Sequence, residues 1–277
     1  MEENKKILFV VNKTKTNAEV IAKRLAELAQ VNAIEFEICD EFPVPEHVFK
    51  NKDICCVIGG DGTILSCVPS IVKNNLPVFG INLGKLGFLA TYTEKITDEE
   101  FLTLVNGQRR ILERALLETV YEGKRYIALN DLVLKDVRLD GISKFSITAD
   151  NEFIATYTGD GLIFSTATGS TAYNLSAGGP IIHPKGRVFA MTPICPHTLS
   201  NRSLIFDYGA QIKIECVSGE SALISDGTKV ATLTQGSKVE ISMLSNTLKF
   251  VRMPGHSHFA ILRNKLGWAD DPRKKDR

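Results

Sequence analysis

Residues 6–11, KILFVV, form an unbroken apolar run of strand length. Residues 17–29 then place Val20, Ile21, Leu25 and Leu28 on one face at helical spacing. Further strands are expected at 33–38, 54–58 and 76–81. A helix is expected at 63–73, with Pro69 inside it to kink it or shift its limits. This alternation of buried strand and helix predicts a parallel, doubly wound α/β sheet. Past Leu104 the pattern changes, near residues 107–110. Short alternating runs follow at 116–121, 127–137, 145–149, 153–158, 162–165, 203–206, 212–217, 222–225, 229–233, 238–243 and 248–253. Many short strands at regular spacing predict an all-β sandwich. Residues 258–268 carry Phe259, Ile261, Leu262 and Leu266 at helical intervals, ahead of a charged tail.

At 277 residues the chain is long enough for two domains, each with its own core. The expected division is an α/β nucleotide-binding domain at 1–108, with 257–277 packing back on it, and a β-sandwich at 109–256. Charges nearly cancel, 33 basic against 32 acidic for a net +1, which argues against a counterion-releasing nucleic-acid surface. The apolar run near the start is too short for a signal peptide or a membrane span, so a cytoplasmic protein without membrane attachment is expected. Six cysteines show no C-x-x-C spacing and read as buried reduced thiols. Five histidines form no metal-binding pattern, and His256 with His258 reads as an exposed pair.

The chemistry concentrates where the apolar run 54–58 ends, in Gly59-Gly60-Asp61-Gly62-Thr63. Glycines let backbone amides approach an anion, and Asp61 adds a carboxylate able to accept a hydroxyl proton. Gly60, Gly62 and Thr63 are the candidate ligand-binding residues beside it; a plain glycine turn is the alternative. No Lys-Ser or Lys-Thr follows, so this is not a Walker loop, and charge neutralisation is assigned to a divalent metal, Mg²⁺. The first strand-to-helix turn, 12–16, has no glycine, which removes the dinucleotide fingerprint of ordinary dehydrogenases.

Four further clusters stand out. Residues 80–89 place glycines 80, 84 and 87 after another strand, so two neighbouring parallel strands would both end in glycine loops framing one crevice; a simple loop is the alternative. Asn130-Asp131 interrupts an apolar run and reads either as a bulge or as groups for a nucleobase edge and ribose hydroxyls. Gly159-Asp160-Gly161 reads either as a hairpin turn or as a second carboxylate for a polar ligand. Residues 165–180 gather the hydroxyls of Ser165, Thr166, Thr168, Ser170 and Thr171 around one glycine. That composition would suit a helix starting near Thr171 with a phosphate at its N-terminus, and Tyr173 offers a stacking face; a polar low-complexity loop is the alternative.

These residues together resemble the NAD kinase family. The shared features are the GGDGT run, the Asn-acid pair, Thr168-Gly169-Ser170-Thr171-Ala172-Tyr173 continuing into Ser176-Ala177-Gly178-Gly179-Pro180, and the tail Leu262-Arg263-Asn264-Lys265-Leu266-Gly267-Trp268. GGDGT also occurs in lipid kinases and, in related form, in phosphofructokinases; the Thr-Gly-Ser-Thr-Ala-Tyr block is the specific part. The resemblance implies a phosphofructokinase-like α/β domain, a β-sandwich domain and a substrate site between them, in a homotetramer or homodimer. It implies transfer of phosphate from ATP, or polyphosphate, to the adenosine 2′-hydroxyl of NAD, giving NADP, with Asp61 as general base. It assigns Gly62 to the loop contact, Asn130 and Asp131 to the adenosine and ribose end of NAD, and Asp160 to the nicotinamide side. Thr171, Ala172, Tyr173 and Ser176 would line the dinucleotide pocket, with Thr168 beside them. Ala167 stands where the family usually has proline, a change expected to affect rigidity rather than chemistry. Two other readings stay open, a non-catalytic NADP-binding regulator and a lipid kinase sharing the GGDGT loop.

Overall fold

The computed structural model describes residues 5–84, 87–107, 109–138, 141–197, 202–255 and 257–268. Lys85 and Leu86 of the second glycine loop, His256, and the tail from residue 269 lie outside them.

The chain opens with β1 (Lys6–Val11), α1 (Ala18–Val31), β2 (Glu35–Cys39), β3 (Ile54–Ile58) and α2 (Asp61–Lys73). It continues through β4 (Val78–Asn82), β5 (Tyr92–Thr93), α3 (Asp98–Asn106) and β6 (Arg110–Arg114). The six elements expected here agree closely with those observed, whereas β5, α3 and β6 had not been read from the sequence; α2 starts at Asp61, two residues earlier than its apolar pattern suggested. The aspartate therefore sits on the helix, and Pro69 is accommodated inside it. α3 begins with a capping box between Thr97 and Glu100, which satisfies two amides at its start.

An all-β region follows: β7 (Leu117–Tyr121), β8 (Lys124–Ala128), β9 (Asp131–Asp136), β10 (Ser143–Ala149), β11 (Glu152–Gly159) and β12 (Gly161–Thr166). After the single turn α4 (Tyr173–Ser176) come β13 (Val188–Ile194), β14 (Leu204–Asp207), β15 (Ile212–Ser218), β16 (Ser221–Ser225), β17 (Thr228–Leu233) and β18 (Lys238–Met243). β19 (Leu248–Arg252) and α5 (His258–Leu266) end the described chain.

Chain contacts divide the molecule into two compact units. One holds the chain up to Ile64, Pro77–Leu112 and everything from Phe250; the other holds Leu65–Leu76 and Glu113–Lys249. In the first unit the sheet order is β2-β1-β3-β4-β19-β6, with β5 on β4. β1 pairs in parallel with β2 and β3, β3 with β4, and β4 with β5 and β19. Ile7, Phe9, Phe79, Ile81, Leu25 and Phe101 build its core, with Phe9 and Phe101 stacked at 6.1 Å between ring centroids.

In the second unit two six-stranded sheets run β11-β10-β15-β18-β7-β8 and β14-β13-β12-β9-β16-β17. Neighbouring strands pair antiparallel among the described residues, and inward residues of both sheets, such as Phe145 and Ile212 from one and Phe164 and Phe189 from the other, share one core. This is the expected sandwich. Three local readings change. The run 127–137 is two strands in different sheets, broken at Leu129-Asn130. Strand β13, VFAMTPI, had not been read from the sequence, because Pro193, its last residue but one, masked it. β19 had been read with the sandwich strands, yet it pairs with β4 of the parallel sheet, where burial of nearly every residue suits its apolar run. Among the described residues no helix is long and apolar enough to cross a membrane. All six cysteines are free; Cys195 is exposed and the other five are buried.

Candidate active site

In the first unit β3 and β4 lie side by side in parallel, and both end in glycine loops, as the sequence suggested. Asp61 joins the two loops. Its Oδ2 accepts from Phe88 N at 2.8 Å, and its Oδ1 accepts from Leu89 N at 3.2 Å and Ala90 N at 2.8 Å. A carboxylate offers about four acceptor positions, so one on Oδ2 is left by these three bonds. Gly87 lets the loop come this close: a Cβ there would stand 2.0 Å from Asp61 Oδ1.

Around the start of α2 the other candidates divide by role. Thr63 is buried, and its hydroxyl accepts from Asn12 Nδ2 at 3.0 Å. Asn12 also caps its own turn by accepting from Thr14, so the glycine-free first turn holds the helix start in place. Thr63 N donates to Gly60 O at 3.0 Å, so the Asp61 and Gly62 amides precede the first intrahelical bonds. Gly60 and Gly62 have no heavy atom within 4 Å of where a Cβ would stand. The fold does not require glycine at these two positions, and the space above them is open.

In the second unit the candidate residues sit where the chain changes sheet. At the β8-to-β9 crossing, Leu129 N, Asn130 N and Asp131 N donate to the carboxylate of Asp226 at 2.8, 2.7 and 3.1 Å. Asp226 N returns a bond to Asp131 O at 3.0 Å. Asp131 is 5% exposed; burial and then the charge of Asp226 push its carboxyl up to about 7. Burial pushes Asp226 up to about 6, against the pull of its three backbone donors. At the β11-to-β12 crossing stands Asp160. It is not a hairpin turn, because β11 and β12 belong to different sheets. The exposed Cys195 thiol is hydrogen-bonded to Asp160, which holds that thiol above its usual range.

The 165–180 segment departs from expectation. Instead of a helix from Thr171 there is a 3₁₀ turn at Gly169–Thr171, then the four residues of α4, separated by Ala172 at φ −99°, ψ −128°. No side chain caps either turn, and so short an element makes no phosphate site by its N-terminus. Three of the five hydroxyls face inward. Ser165 donates to Thr166 O, Thr166 donates to Leu129 O, and Ser170 donates to Ala167 O. Thr168, Thr171, Ala172, Tyr173 and Ser176 keep at least part of their surface open. Tyr173 has the Lys135 ammonium 5.9 Å from its ring centroid. Buried Asn174 locks the segment by donating to Ser170 O and Pro180 O and accepting from Thr192.

Comparison with known proteins bears on both units. Residues 44–109 match the ATP-NAD kinase N-terminal domain, and residues 129–253 match the ATP-NAD kinase C-terminal domain. The NAD kinase of Lachnoclostridium phytofermentans is 35% identical over 282 residues, spanning 95% of this chain and 99% of that one. The chain belongs to the NAD kinase family. The NAD kinase of Caldicellulosiruptor saccharolyticus is 41% identical over 225 residues, 78% of this chain and 85% of the relative. The fold is that of yeast NADH kinase solved with NADH, at TM-score 0.86 and 24% identity over 97% of this chain and 89% of that one. It is also that of an Archaeoglobus fulgidus NAD kinase solved with ATP, at TM-score 0.79 and 22% identity over 95% and 98%.

Within this family's fold, Asp226 is the candidate that sequence reading passed over. Asp226-Gly227 is a hairpin turn between β16 and β17, with φ 45° and 82° at the two residues, and an Asp-Gly pair between alternating strands was the available sign. Among the described residues no group of three or more His, Cys, Asp or Glu side chains could hold a metal. The donor set of the described residues therefore does not fit a resident metal centre.

Proposed function

We propose that this NAD kinase family member transfers the γ-phosphoryl group of ATP to the adenosine 2′-hydroxyl of NAD, with Asp61 as the general base. The observation that carries the assignment is the Asp61 carboxylate, fixed by three backbone amides, keeping an acceptor position on Oδ2 beside the open space over Gly60 and Gly62. A held carboxylate needs no reorganisation when it takes the hydroxyl proton, which suits a reaction that is mostly positioning and electrostatics. The Asp61 and Gly62 amides, at the positive end of the thirteen-residue α2, would face the phosphates. Mg²⁺ would arrive bound to the triphosphate as part of the substrate.

In the second unit, Asn130 and Asp131 would take the adenosine ribose and Asp160 the nicotinamide side. Thr168, Thr171, Ala172, Tyr173 and Ser176 would form the rest of the dinucleotide surface. Asp131, pushed up to about 7, can be protonated near neutrality and so donate to a ribose oxygen as well as accept from one. Kinship supports a homodimer or homotetramer, and six free cysteines suit a reducing cytoplasm.

The test mixes protein, Mg²⁺, ATP and NAD and follows NADP with a coupled dehydrogenase. Asp61→Asn is expected to bind NAD and turn over about 10² to 10⁴ more slowly. Wild-type turnover by that variant removes Asp61 from the base role, and saturable NADP binding without any synthesis by the wild type favours the regulator.

A further inference from the structure

Arg252, the last residue of β19, is 4% exposed, an uncommon place for a guanidinium. Its Cζ lies 5.0 Å from the Phe250 ring centroid, and its Nη2 donates to Leu89 O at 2.8 Å. That carbonyl belongs to the same peptide group as Ala90 N, the donor to Asp61 Oδ1 at 2.8 Å. A chain of two hydrogen bonds thus runs from a buried cation through one peptide to the carboxylate. Hydrogen bonds in series polarise each other, most strongly where water is excluded. The guanidinium draws electron density toward the Leu89 oxygen and makes the Ala90 N–H a stronger donor to Asp61.

We propose that Arg252 is a positioning residue for phosphoryl transfer: through the Leu89-Ala90 peptide it fixes the loop that aims the Asp61 carboxylate. This rests on the assignment of Asp61 as the base. The arrangement gives a reason for burying a charge, which costs free energy unless the group is well bonded. It also gives a use to a strand encoded nearly two hundred residues after Asp61. Arginine suits the place because its flat, weakly hydrated guanidinium can lie over an aromatic ring while one nitrogen donates, which a lysine ammonium does poorly.

The experiment compares Arg252→Met, Arg252→Lys, Asp61→Asn and the double variant Asp61→Asn with Arg252→Met, measuring kcat, KM for NAD and the urea midpoint of each. With the aim of the base lost, kcat of Arg252→Met is expected to fall about 10²-fold with KM for NAD unchanged. Arg252→Lys, which keeps a cation able to donate to Leu89 O, is expected to lie between it and the wild type. Residues acting as one unit are not additive, so adding Arg252→Met to Asp61→Asn is expected to cost no further activity. Should Arg252→Met not fold, a lowered kcat at unchanged KM in Arg252→Lys still supports the proposal. Unchanged kcat in Arg252→Lys and in any folded Arg252→Met, a loss seen in KM alone, or additive losses in the double variant overturn it. Those results leave the base assignment standing if Asp61→Asn is slow; wild-type turnover by Asp61→Asn removes the base assignment itself.

Discussion

Replacing Gly62 by alanine separates what the fold needs from what the reaction needs. Gly62 is the second residue of α2, exposed, with no atom within 4 Å of an added Cβ and no positive φ. Glycine within a helix costs roughly 0.5 to 1 kcal/mol relative to alanine, and the first turn should show only part of that. A gain of about 0.5 kcal/mol corresponds to a rise of about 1 to 2 °C in Tm for a protein of this size. The same methyl would stand in the space assigned to the triphosphate, and displacing a reacting group by about 1 Å can cost roughly 10²-fold. Alanine at position 62 is therefore expected to raise the thermal midpoint of the ligand-free protein and to lower kcat/KM for ATP by roughly 10- to 10²-fold. Calorimetry without ligand and steady-state kinetics with varied ATP check the two halves separately. Unaltered kcat/KM for ATP would mean that phosphate does not lie over Gly62, and a fall in Tm would mean that the space is not open.

Gly87→Ala drives a methyl into the Asp61 carboxylate, 2.0 Å from Oδ1, and should lower kcat about 10²-fold while costing about 1 to 3 kcal/mol of stability, read by kinetics and urea unfolding. Asp226→Ala leaves the amides of Leu129, Asn130 and Asp131 without their acceptor; a loss of at least about 3 kcal/mol is expected, with weaker NAD binding by calorimetric titration. Asp131 binds its proton more tightly folded than unfolded, with a value raised from about 3.8 to about 7, so its contribution to stability is present below about pH 4 and lost as pH rises toward 7. Asp131→Asn should flatten that decline, and equal slopes of urea midpoint against pH in variant and wild type would refute the reading.

The parallel sheet and the sandwich were legible because periodicity reports which residues avoid water, and most of each core comes from the runs that pattern picks out, Phe101 of α3 and Phe189 and Met191 of β13 being exceptions. Asp61, Asn130 and Asp160 were legible as places where polar residues break apolar runs. What their surroundings would be was not legible. Ser165, Thr166 and Ser170 look like ligand hydroxyls in the sequence, but each donates to a backbone carbonyl, because a chain that turns back on itself beneath a sheet must satisfy its own polar groups. β13 was hidden by Pro193, and the partner of β19 depends on a pairing across more than 160 residues that no local pattern encodes. Asp226 was visible only as a turn, since its contacts lie about 95 residues upstream.

Asp61 and Asp226 share a geometry that explains why aspartate serves in both units. Each carboxylate collects three consecutive backbone amides, 88–90 in one case and 129–131 in the other, and each does so across a gap in sequence that local structure could not bridge. Three successive loop N–H groups converging on one point are paired neither as in a helix nor as in a sheet, so a loop held in that shape would be costly unless an anion filled it. A side chain supplying that anion sets the loop before any substrate arrives. The surroundings then decide what else it can do. Asp226 is partly buried, and burial raises its carboxyl to about 6, with its neighbour Asp131 adding a second carboxyl at the same crossing. Asp61, half-buried as well, stands at the open end of α2; by the same count each carboxylate keeps one acceptor position on Oδ2. The same three-amide grip thus yields an anchor in both units, and under the proposed assignment the Asp61 anchor, beside the open space over Gly60 and Gly62, would also meet a substrate hydroxyl.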